Sequence, residues 1–263
     1  MTAPDGAPTQ QASVFFFLPV VVAYLAACAA WYALDRLRPG LWPRPRDEAG
    51  PPRPLVELGL AFAATAGLLA MGQVYRAGLL IPSAGPPVAR RMAWIANNLL
   101  IYTPIFAVLA WRRQSTETIY LSRAKAWLKL GFGCVTGLAC VALFLTLRGE
   151  LAQWPSVLHR AMDGARLASF AAVFLEGVAL AFLLVRLRWA WGARIAVVVP
   201  AVLFAAAHVP GEIAEGRSLA EMIAFFALNS VLVAAILVVV QRTRDILWLG
   251  VVHYLMDVAI RAI

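Results

Sequence analysis

Long apolar blocks alternate with short polar ones along the whole chain. Eight blocks approach the roughly 20 apolar residues that a helix needs to cross a bilayer core. They cover residues 14–34, 56–81, 93–111, 129–147, 167–186, 194–209, 219–240 and 246–262. The pattern predicts an all-α fold, a polytopic membrane helix bundle with about eight transmembrane helices. The second block contains Gln73 and Arg76 and runs into IPSAGPP, so a helix end is expected near Arg76. The sixth is short, and the seventh begins at Glu221 and holds Asn229 in its interior.

Nothing between the blocks is long enough for a second domain, so residues 1–263 are expected to form one integral-membrane domain. The longest loop, residues 35–54, is Pro-rich and cannot stay helical for long. The N-terminal MTAPDGAPTQQAS has no Lys or Arg. A secretory signal has a positive segment before its apolar stretch, so the first block is expected as a retained helix. Gly133 and Gly137 have the small-x-x-x-small spacing that lets membrane helices approach closely, and are expected to serve packing.

Composition agrees with the pattern. Hydrophobic residues make up 62% of the chain and charged residues 14%, against about a quarter charged in soluble domains. A net charge of +9 does not point to nucleic acid here, because the basic residues cluster between apolar blocks, where they orient helices. With the N-terminus outside, 15 of the 23 basic residues fall in inside loops. The positive-inside rule therefore favours both termini outside. The expected setting is a bacterial inner membrane, crossed several times. Cys28, Cys134 and Cys140 lie within apolar blocks without metal or disulfide spacing, and are expected to be small packing residues.

Four ionisable residues interrupt the apolar blocks: Glu176 in AAVFLEGVALAFLL, His208 in LFAAAHVPGE, and His253 and Asp257 in WLGVVHYLMD. Each costs about 2.5–3.5 kcal/mol at mid-bilayer on insertion scales. His253 and Asp257 are four residues apart and share a helix face, so Asp257 is expected to orient the His253 ring. The predicted topology brings all four to one pocket in the outer half of the membrane. Singly, each is as readily explained by an interfacial position or an interhelical hydrogen bond. Together they make a general acid/base set. Asn229 is a weaker pocket candidate, while His159 and Glu212 are expected in solvated loops. No Ser or Cys stands by as a nucleophile, so attack by an activated water is favoured. Zinc is the rival use of two His and a carboxylate, but the helical H-E-x-x-H pattern is missing.

These residues resemble the CAAX protease and bacteriocin-processing family of intramembrane proteases, which also includes the Abi proteins. That family places E-E-x-x-x-R, F-x-x-x-H and H-x-x-x-N or H-x-x-x-D on separate membrane helices. The second motif is present as Phe204 to His208 and the third as His253 to Asp257. The first is partial: Glu176 matches its leading Glu, but Gly177 and Ala181 stand where the second Glu and the Arg would be. Arg186 lies about 80° around the helix from Glu176, so it is not a substitute. The resemblance covers residues 165–262.

What the resemblance implies is a glutamate-type intramembrane endopeptidase. Glu176 and His208 would activate the water, His253 would serve the oxyanion with Asp257 beside it, and Phe204 would pack next to the site. No metal and no cofactor are implied. The implied partners are the lipid bilayer and a membrane protein or peptide substrate, and an outward-facing site suits a C-terminal sorting tail. The altered first motif keeps a second reading open: a catalytically silent relative that binds membrane peptides or acts in bacteriocin self-immunity.

Overall fold

The computed structural model describes residues 14–37, 50–82 and 84–263. The N-terminal tail and most of the Pro-rich loop, with Arg38, Arg44 and Arg46, lie outside the described residues. Among the described residues the chain is helical, without strands. Its elements are α1 (Val14–Leu37), α2 (Pro54–Arg76), α3 (Pro87–Ile101), α4 (Thr103–Trp111), α5 (Ala126–Arg148), α6 (Trp154–Met162), α7 (Gly164–Trp191), α8 (Ala193–Ala214), α9 (Leu219–Thr243) and α10 (Leu247–Ile260). It is a multi-pass membrane bundle.

Six of these helices, α1, α2, α5, α7, α8 and α9, are long and apolar enough to cross a membrane. The other two expected spans differ from expectation. The third is broken into α3 and α4, bent by 50°. Pro104 sits in the first turn of α4. It lacks an N–H and disfavours helical backbone at the residue before it, so the helix restarts there. The eighth, α10, has only 14 residues, about 21 Å at 1.5 Å per residue, against a bilayer core of about 30 Å. It can be short because it is enclosed, packed on α5, α7 and α6.

Glycines set that enclosure. A Cβ on Gly133 would lie 2.7 Å from the Trp248 carbonyl oxygen, and one on Gly137 would lie 2.7 Å from Leu255. The expected close approach of α5 is therefore to α10. From the other side, Gly250 of α10 lies against the Phe174 ring of α7.

Two further differences concern helix extent. Residues 154–162, expected as loop, form α6, which is tied to α10 by the Tyr254 hydroxyl donating to the Ala161 carbonyl at 2.7 Å. His159 is exposed, as expected, but on this helix. α8 does not stop at residue 209 but continues through Pro210 to Ala214. Glu212 is consequently a buried helical residue, paired with Arg217 at 2.6 Å.

One end of the bundle gathers the C-termini of α1, α4, α7 and α9 and the N-termini of α2, α5, α8 and α10. It carries most of the basic clusters and is locked by buried polar contacts. Glu57 accepts from Arg112 Nε at 2.8 Å and from Gln114 Nε2 at 2.7 Å. Arg186, fully buried, donates to Gln114 and to the Thr118 carbonyl. Lys129 pairs with Asp245 between α9 and α10. The Arg242 guanidinium lies over the Tyr32 ring at 4.8 Å, joining α9 to α1.

Candidate active site

Away from this basic end the helices diverge around a cavity of about 300 Å³. Six residues singled out from the sequence line it: Glu176 on α7, Phe204 and His208 on α8, Asn229 on α9, and His253 and Asp257 on α10. Helical spacing explains the lining. Ser169, Ala172, Val173, Glu176 and Leu180 repeat at three- and four-residue intervals and form one face of α7. Leu249, His253, Asp257 and Ile260 do the same on α10. Helix α1 closes the space with Phe17, Val20 and Tyr24.

The polar groups of the cavity lie towards one end, beside Phe17, Phe225 and Ile260, and the other end is apolar. Nearer the basic end its walls are Leu180, Val233, Ile236 and Leu249. The imidazoles and carboxylates lie in the other half, where Arg261 also reaches the cavity.

The geometry around His208 fixes its tautomer. Its Nδ1 is 2.8 Å from the Phe204 carbonyl oxygen. A carbonyl only accepts, so Nδ1 carries the proton and the neutral ring presents the Nε2 lone pair. The Phe204 ring packs on the imidazole with centroids 4.5 Å apart. The F-x-x-x-H spacing thus works twice, through a ring contact and through the backbone carbonyl one turn back.

The two carboxylates of the cavity differ. Among the described residues Asp257 makes no hydrogen bond to the His253 ring. Its Oδ1 instead accepts from Arg261 Nε at 2.9 Å, four residues the other way. Arg261 is in turn steadied by Arg160 of α6, whose Nη1 donates to the Arg261 carbonyl at 3.2 Å. Glu176 makes no hydrogen bond or ion pair among the described residues. Asn229 is buried and faces the same space.

Arg261, Tyr24 and Trp94 also line the cavity but did not stand out in the sequence. Arg261 continues the stripe of His253 and Asp257 by one more four-residue step. The stripe on α1 carries no polar signal beyond the Tyr24 hydroxyl. Arg186 has no part in the cavity, as its rotation from Glu176 implied. Among the described residues no three His, Cys, Asp or Glu side chains converge as metal ligands.

Compared with known proteins, residues 158–259 match the family model described as type II CAAX prenyl endopeptidase Rce1-like. The match runs from within α6 to the penultimate residue of α10 and includes every cavity residue of α7 to α9. No curated protein and no solved structure matches the chain.

Proposed function

We propose, on the premise that residues 158–259 belong to the CAAX protease and bacteriocin-processing family of intramembrane proteases, that this chain is a glutamate-type endopeptidase cutting a membrane-anchored protein. The observation that carries the reading is the convergence of Glu176, His208 and His253 on one cavity, with Glu176 making no hydrogen bond or ion pair among the described residues. A water held between the Glu176 carboxylate and His208 Nε2 loses a proton to Glu176 as its oxygen attacks the peptide carbonyl carbon. His253 donates a hydrogen bond to the oxyanion that forms. The carbon–nitrogen bond breaks, and the proton passes from Glu176 to the leaving nitrogen. The products are a carboxylate and an amine. Asp257, held by Arg261, and Asn229 shape the polar half of the cavity. With the basic end on the cytoplasmic side, the site opens in the outer half of a bacterial inner membrane. That placement suits a C-terminal sorting tail, in which a short motif precedes an apolar span and a basic end.

The test is processing in the cells that make the protein. Glu176→Ala and His208→Ala are compared with wild type at matched membrane levels, and the C-termini of membrane proteins are mapped by mass spectrometry. Uncleaved tails in both variants support the reading and identify the substrate. Unchanged termini in both overturn it and favour the silent, peptide-binding relative.

A further inference from the structure

Gly177 is buried, yet a Cβ built on it meets nothing within 4 Å. The three buried glycines of α5 and α10 behave in the opposite way, each with a neighbour 2.7 Å from the built Cβ. Those three are glycine because another helix lies there. Packing gives no such reason at 177. Backbone conformation gives none either, because Gly177 is not among the residues at positive φ and lies inside the unbroken helix α7. A glycine inside a helix is less stable than an alanine, so this one has a cost without a structural return. The space above it is the cavity itself, one residue along from Glu176.

We infer that Gly177 is a specificity-determining position for the proposed endopeptidase: its missing side chain leaves room beside Glu176 for the substrate side chain next to the cleaved bond. A glycine has no Cβ, so the volume over residue 177 is free for a side chain of a peptide whose carbonyl meets Glu176 and His208. Beyond Gly177 towards the basic end the cavity is walled by Leu180, Ile236 and Leu249. The substrate class this selects is a locally unwound membrane segment whose apolar side chain, next to the cleaved bond, enters that apolar half. The size of residue 177 then sets the size of the side chain admitted. This rests on the reading of the preceding subsection.

The experiment uses the full chain in lipid nanodiscs and peptides synthesised from the cleavage site that processing identifies, with Gly, Ala, Leu or Phe in turn at the residue next to the cleaved bond. Gly177→Ala, Gly177→Val and Gly177→Leu are compared with wild type. One methylene in an apolar pocket changes discrimination by about 10–200-fold. Gly177→Val and Gly177→Leu are therefore expected to lower kcat/KM for the Leu and Phe peptides by about tenfold or more. The Gly peptide should stay within about threefold, and the melting temperature should equal or exceed that of wild type. A loss that is the same for all four peptides, or no loss at all, overturns the inference while leaving the protease reading intact. Absence of Glu176-dependent cleavage by wild type overturns that reading and this inference with it. A direct measure of the room is independent of turnover. With the three native cysteines replaced by alanine, Gly177→Cys is expected to react with benzyl methanethiosulfonate without loss of melting temperature. Failure of that cysteine to react shows that the space does not admit a side chain, and also overturns the inference.

Discussion

Ionisable groups enter this bundle at two levels, and they are used in opposite ways. At the basic end they are paired: Glu57 with Arg112 and Gln114, Arg186 with Gln114 and Thr118, Lys129 with Asp245. In the cavity Asp257 is held by Arg261, but Glu176 makes no hydrogen bond or ion pair among the described residues, and His208 uses only Nδ1 within its own helix. A buried charge without a partner costs several kcal/mol, so the paired groups are read as structure. The unpaired ones face a space that a substrate and a water can fill. Family motifs fall only in the second set, which is why the first went unread.

The comparison can be broken most strongly at Lys129, which is 1% exposed. Lys129→Met leaves the Asp245 carboxylate buried without its cation, at a cost of about 3–5 kcal/mol. A large drop in melting temperature is expected, with cleavage lost because the fold is lost. Adding Asp245→Asn keeps the hydrogen bond to the Leu247 amide, 2.8 Å long, and is expected to recover most of the stability. A melting temperature unchanged in the single variant would show that the pair does not hold the basic end.

Glu176→Gln tests the other side. Removing the proposed general base is expected to lower the rate by about 10²–10⁴-fold, with the melting temperature staying at the wild-type value. Gly133→Ala links the two levels. Its Cβ meets the backbone of Trp248, and overpacking of this kind costs about 1–3 kcal/mol. Because α10 must move, kcat is expected to fall as well as stability, although residue 133 does not touch the cavity. Stability lost with kcat unchanged would mean that α10 does not position His253.

The smallest effect separates neighbours in sequence. Tyr254 faces α6 and His253 faces the cavity. Tyr254→Phe removes the hydrogen bond to Ala161 and is expected to lower stability by about 0.5–1.5 kcal/mol, with kcat unchanged. A fall in kcat would place Tyr254 in the chemistry and blur the distinction between the two levels.

The hydrophobic pattern reveals most of the fold, because a bilayer imposes length and apolarity on each spanning helix. Six expected spans are full-length helices. The pattern misses the break at Tyr102, where the apolar run continues across a change of direction, and it overstates α10, whose shortness depends on being enclosed. It also misses α6, which is too short to span. The residues later found in the cavity stand out because an ionisable group in an apolar run is costly. Arg261, at 61% side-chain exposure, does not, since an arginine at a helix end needs no explanation until its bond to Asp257 is seen. The clamp at the basic end is illegible for a different reason. Glu57, Gln114 and Arg186 come from three separate stretches, and only the folded chain brings them together.

The most direct measurement of the central claim is made on Glu176→Gln and wild type in the same nanodisc preparation, recording melting temperature and the rate of cleavage of the mapped substrate. A rate reduced by about 10²–10⁴-fold at an unchanged melting temperature is the predicted result. Cleavage by the Glu176→Gln variant at the wild-type rate, or a collapse of the fold that accounts for the loss, would contradict the assignment of the cavity carboxylate to chemistry.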